Sequence, residues 1–134
     1  KVNDFDYRWE GVDEASRLLG TVASSGPHYV HVASEGVSWE GSAFLEEGVS
    51  VTGLAREVCK VPVIANGALG DPSQATRLVR EGHADLISLG ESALANPDWP
   101  NLVASGKPLN SFDIEMLKPE VTIENARAWR ESKG

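Results

Sequence analysis

VPVIANGALGDPSQATRLVREGHADLISLG, residues 61–90, decides the fold of this chain. It opens on a short apolar run, Val61 to Ala65, and closes on another, Asp85 to Leu89. Apolar residues on consecutive rather than alternating positions mark strands covered on both faces, as in parallel sheets. Between the runs Ala75, Leu78 and Val79 recur at helical spacing. Asp71 is placed to accept a bond from a free helix N–H, Pro72 suits the first helical position, and Gly82 allows a left-handed stop. The stretch predicts strand, helix, strand.

The same grammar continues towards the N-terminus. Ala15, Leu18, Leu19 and Val22 fall at i, i+3, i+4 and i+7, as do Val51, Leu54, Ala55 and Val58. A third apolar run, Tyr29 to Ala33, lies between them, with Tyr29 expected in the strand core. Helix and strand alternate, so the class is α/β with a parallel sheet. Glu46 and Glu47 are expected in the acidic first turn of the helix that follows, where they suit its dipole. Trp39 is expected at the mouth of a site or against a partner. Beyond residue 90, Ser92 to Ala95 reads as one helical turn and Asn96 to Pro100 as the start of a short helix. Gly106-Lys107-Pro108 ends that helix, and Thr122 to Trp129 suits a last one. No linker interrupts the chain, so residues 1–134 are expected to form a single domain.

Composition narrows the function. The 134 residues carry 12 Lys and Arg against 20 Asp and Glu, a net charge of −8. That balance excludes a sequence-independent nucleic-acid binder, which must neutralise phosphates. No apolar run approaches the roughly 18 residues of a membrane span. The single cysteine, Cys59, excludes an internal disulfide and a Cys-rich zinc site and fits a reducing cytoplasm. His28 and His31 stand three apart along a strand, on opposite faces, and His83 sits in a turn, so no metal site is expected. Nucleophile elbows, Walker loops and Cys–His pairs are missing from the sequence. The chain opens at Lys1 in sequence that already reads as folded, and a piece of a longer protein is the expectation.

Parallel α/β sheets bind ligands at the C-terminal ends of their strands. Those ends read His31 to Gly36, Ala65 to Ala68, and Ser88 to Ser92. Each carries a glycine just past the strand, at Gly36, Gly67 and Gly90. Without a Cβ, Gly67 and Gly90 let the backbone approach a ligand and adopt positive φ. The helical turn after Gly90 offers free N–H groups to an anion. Two successive strand-end glycines followed by such a turn describe the phosphate site that barrels build after strands seven and eight. Glycine in a strand-to-helix turn equally serves the turn alone.

Taken together, Val61 to Leu69, Asp71-Pro72, Glu81 to Gly90 and Leu94 to Pro100 resemble the old yellow enzyme family of FMN-dependent NAD(P)H oxidoreductases. Pro108 to Asp113 and Pro119 to Asn125 look like that family's C-terminal tail. The family fold is a (β/α)8 TIM barrel, which needs at least about 200 residues. The resemblance therefore implies a C-terminal half of a barrel, from the end of strand five (Lys1 to Phe5) through strand eight with its helices. It implies FMN as cofactor and NAD(P)H as reductant, with hydride passing through the flavin to an activated alkene or similar acceptor. By the same resemblance Lys1 matches a basic residue near flavin N1 and O2, where fixed positive charge favours the reduced state. Asn66, Gly67, Ala68, Gly90 and Glu91 match the segments that hold the FMN phosphate.

One position departs from the family. An arginine usually follows the strand-eight glycine and grips the phosphate, whereas this chain has Glu91. A carboxylate about 5 Å from a phosphate costs about 3 kcal/mol per charge pair at an effective dielectric near 20. Weak or absent FMN binding is the consequence expected. The family's His or His/Asn substrate anchors and its proton-donating tyrosine lie in the half this chain lacks, and neither Tyr7 nor Tyr29 matches the latter. No catalytic residue is assigned, and the chain alone is expected to be inactive. Its partners are expected to be the missing N-terminal half or further copies of itself. The alternative is a non-catalytic half-barrel that self-associates and binds a phosphorylated small molecule or no ligand.

Overall fold

The computed structural model describes residues 9–33 and 38–133, in two compact units divided between Leu89 and Gly90. Lys1, Tyr7 and the Ser34-Glu35-Gly36 strand end lie outside the described residues.

In the first unit, α1 (Val12–Ser24) begins with Asp13 and Glu14 in its first turn. The Glu14 carboxylate accepts a bond of 2.7 Å from the Glu10 N–H just ahead of the helix. After β1 (Val30–Val32) come a short helix, α2 (Trp39–Ser42), and a hairpin of β2 (Phe44–Glu46) and β3 (Val49–Ser50). Then α3 (Val51–Cys59), β4 (Val63–Ala65), α4 (Pro72–Arg80) and β5 (Leu86–Ile87) follow. Ser50 caps α3 by accepting from the Gly53 N–H, and Asp71 caps α4 by accepting from the Ser73 N–H. Lys60 closes α3 at φ 55°, and Gly82 follows α4 at φ 83°. The caps at Asp71 and Gly82 act where the sequence placed them.

β1, β4 and β5 form a parallel sheet in the order β1-β4-β5. The register sets Val30 against Val63, His31 against Ile64, and Ile64 against Leu86. Val30, Val32 and Val63 pack with Leu19, Leu54, Ala55 and Cys59 of α1 and α3. Ala15 and Ala55, both 0% exposed, are the small residues of that helical layer. Ala65 and Ile87 join a second cluster with Trp39, Leu69 and Leu78. Strand side chains alternate between faces, so His31, Ile64 and Leu86 form a row on the opposite side. Leu86 on that side is 53% exposed. The apolar runs had implied cover on both faces; among the described residues of the first unit, the helices pack against the face of Val30, Val63 and Ala65.

Three local expectations are corrected. Glu46 ends a strand, and the turn at Gly48 (φ 78°) carries the chain into β3, so neither Glu46 nor Glu47 belongs to a helix. Trp39 is only 4% exposed, packed edge-on to Phe44 at 5.3 Å and tilted on His83 at 5.1 Å, rather than standing at a mouth. Tyr29 precedes β1 and is 58% exposed.

At the N-terminal end of the sheet a charged clamp ties three elements together. Arg56 of α3 donates to both Asp85 oxygens, at 3.1 and 2.8 Å, and the Val63 N–H donates to Asp85 Oδ2 at 2.9 Å. The Val63 N–H first, and Arg56 second, hold the Asp85 carboxyl below the usual carboxylate range. Its stabilising effect is therefore full above the unfolded carboxyl pKa and disappears as pH falls through the lower folded value. Solvent reaches a third of the Asp85 side chain, which weakens the pair. Asp85→Asn is expected to cost about 1 kcal/mol in urea unfolding at about pH 6 and distinctly less at about pH 3. An equal loss at both pH values would contradict this.

The second unit contains α5 (Glu91–Ala95), α6 (Trp99–Ala104), a 3₁₀ turn (Ile114–Leu117) and α7 (Ile123–Lys133). Asn96, 2% exposed, is its polar hub. Its amide donates to the Ser92 and Asn110 carbonyls at 3.0 and 2.9 Å, and its oxygen accepts from the Asn110 N–H at 2.8 Å. No helix of the described residues is long and apolar enough to cross a membrane.

Candidate functional site

The sheet brings three polar side chains together at its C-terminal end. Two residues past Ile64 the alternation returns Asn66 to the side of Ile64, and two past Leu86 it returns Ser88. Asn66 Nδ2 donates to Ser88 Oγ at 3.0 Å, and Ser88 Oγ lies 2.9 Å from His31 Nε2. The parallel ladder extends to this point, since the Ser88 N–H donates to the Ala65 carbonyl at 2.8 Å. Ser88 thus links the ends of β4 and β5 to the middle of β1 through one hydroxyl.

Immediately after Asn66 the backbone turns sharply. Gly67 is buried at φ 127°, and its carbonyl accepts the Trp39 N–H at 2.8 Å. Ala68 follows at φ 51°, a left-handed conformation that costs a non-glycine residue about 1–2 kcal/mol. Such strain persists only where the surroundings hold it, and it concentrates at ligand-binding turns. The exposed Ala68 and the small Gly67 leave this turn without bulky side chains of its own.

Of the residues expected from the sequence, the first unit places Asn66, Gly67 and Ala68 in one turn. Gly90 and Glu91 open the second unit. Gly90 has φ −100°, so it does not use the positive φ expected of it, although a Cβ added there would meet nothing within 4 Å. Glu91 is the exposed first residue of α5, where a carboxylate suits the helix dipole. Ser88 had not been singled out. Its signal was the two-residue step from Leu86, usable only once the register with Asn66 was known.

A second Ser–His contact, Ser50 Oγ to His83 Nδ1 at 2.8 Å, is structural. That hydroxyl is buried and already caps α3 through the Gly53 N–H.

The family model described as NADH:flavin oxidoreductase / NADH oxidase matches residues 14–110. The chain belongs to this family, the old yellow enzymes. Members are FMN-dependent NAD(P)H oxidoreductases. This old yellow enzyme chain is 30% identical over 103 residues to an NADH oxidase of Thermoanaerobacter brockii, covering 72% of itself and 16% of that protein. It is 40% identical over 116 residues to a 12-oxophytodienoate reductase-like protein of Solanum lycopersicum, covering 84% of itself and 30% of that protein. It thus spans less than a third of either relative. Morphinone reductase in complex with tetrahydroNAD superposes with a TM-score of 0.59 at 23% identity, over 85% of this chain and 26% of that one. The old yellow enzyme homologue of Zymomonas mobilis gives 0.64 at 20% identity, over 83% and 30%. These two solved structures are TIM-barrel old yellow enzymes, and they support an α/β fold with a parallel sheet.

Proposed function

We propose that this chain is the FMN-phosphate-binding C-terminal half of an ene-reductase-type old yellow enzyme, inactive until the complementary strands are supplied. The observation that carries this reading is the Gly67–Ala68 turn, strained at Ala68, without bulky side chains of its own and set beside Asn66 at the C-terminal end of a parallel sheet. Backbone N–H groups of Gly67 and Ala68 are the donors offered to the phosphate. Ser88 orients the Asn66 amide beside them. The Gly90–Glu91 segment is the second contributor, by resemblance, and Lys1 the cation beside the flavin ring. FMN, when bound, supplies the hydride chemistry between NAD(P)H and an activated alkene or similar acceptor. The residues of this chain bind and orient it. The turn fits a phosphate, whereas the Glu91 carboxylate opposes one, so binding is weak. A cytoplasmic location is part of the same reading.

Titration with FMN, followed by flavin fluorescence, tests it against riboflavin, which lacks the phosphate. FMN is expected to bind about tenfold more tightly, the equivalent of about 1.4 kcal/mol. Equal affinities for FMN and riboflavin would count against the phosphate site.

Glu91 also favours a second reading, a non-catalytic half-barrel that self-associates and takes another phosphorylated ligand or none. Exposed Tyr29 and Leu86 and the outer edges of β1 and β5, unpaired among the described residues, supply the surface for self-association. Light scattering is expected to report a species heavier than the 14.4 kDa chain. A monodisperse monomer would exclude self-association.

A further inference from the structure

We infer that the second unit carries a separate binding site for an aliphatic chain with an anionic head, beneath α7. A cavity of about 520 Å³ opens there, within the usual range for small-ligand pockets. Its walls include Leu94, Leu117, Val121, Ile123 and Ala126. Val121 and Ile123 are 75% and 66% exposed, an unusual cost for β-branched residues that line a hollow. Two charged residues border it, and both are arginines: Arg127 and Arg130, three apart and so on one face of α7.

The choice of ligand follows from those arginines. In a chain with a net charge of −8, the cavity is bordered by two positive charges and no acidic residue. Arg130 is partly buried, and its guanidinium donates to the Leu94 carbonyl at 3.3 Å. Among the described residues neither arginine forms an ion pair. A purely apolar occupant would further desolvate Arg130 with no anion to compensate it. A carboxylate or phosphate head would meet the planar fork of one or both guanidinium groups while its chain covered the apolar wall.

Calorimetric titration of the full chain with dodecanoate, below its micelle concentration, tests the site. One binding event is expected, with dodecanol binding about tenfold more weakly. Substituting both arginines, Arg127→Gln with Arg130→Gln, is expected to abolish that difference. Ile123→Asp, at an exposed position, is expected to abolish binding while circular dichroism stays unchanged. Leu86→Asp, in the first unit, is expected to leave binding intact. Equal affinity for acid and alcohol overturns the inference. So does loss of binding in Leu86→Asp but not in Ile123→Asp. Absence of dodecanoate binding overturns it as well, including the case where the chain sediments with phosphatidylserine vesicles yet ignores the free acid.

Discussion

Glu91→Arg is expected to tighten FMN binding at least a hundredfold. In the proposed site, a carboxylate about 5 Å from a phosphate would cost about 3 kcal/mol at an effective dielectric near 20. Arginine reverses the sign of that interaction and adds planar, charge-assisted donors. Solvent exposure at Glu91 reduces both contributions, so a hundredfold, about 2.7 kcal/mol, is less than the full electrostatic swing. Glu91→Gln separates the two effects: removal of repulsion alone should give about tenfold. The gain should shrink as salt rises, because exposed charges are screened. Loss of the acidic residue at the start of α5 costs only about 0.3–1 kcal/mol of helix stability. Unchanged or weaker FMN binding in Glu91→Arg would remove Gly90 and Glu91 from the proposed site.

Asn96→Ala is expected to destabilise the second unit by about 2–3 kcal/mol, since it removes the buried amide that bonds both the N–H and the carbonyl of Asn110. The Ser92 carbonyl keeps the Asn96 N–H and suffers less. Amide hydrogen exchange reads this directly. Protection of the Asn110 N–H should fall about a hundredfold, with little change in α1 or α3, which belong to the other unit. Asn96→Asp retains the shape and the acceptor but sets a carboxylate oxygen against two carbonyls in a buried site, and at neutral pH should cost at least as much as alanine. Undiminished protection at Asn110 would show that the hub is not what holds residues 92–96 to residue 110.

What the sequence revealed and what it hid follow a physical division. The α4 helix was legible because its determinants, Asp71, Pro72 and Gly82, act within a turn of where they stand. Parallel strands were legible as apolar runs but came out shorter, since Val61 and Pro62 precede the paired residues. The Phe44–Ser50 hairpin was not legible, because Phe44 finds its partners, Trp39 and His83, only in three dimensions. Similarly, the turn at Asn66-Gly67-Ala68 was readable from its glycine. Its link to Ser88 and His31 depended on register, which no local pattern encodes.

The Arg56–Asp85 clamp and the Gly67 turn occupy opposite ends of the same short strand, about 10 Å apart along three residues. The charged clamp lies at one pole and the proposed phosphate turn at the other. A laboratory lineage is therefore free to vary the loops at the turn's pole while the anchoring pole stays untouched. Its tolerance of such change will depend on how firmly Arg56 is held.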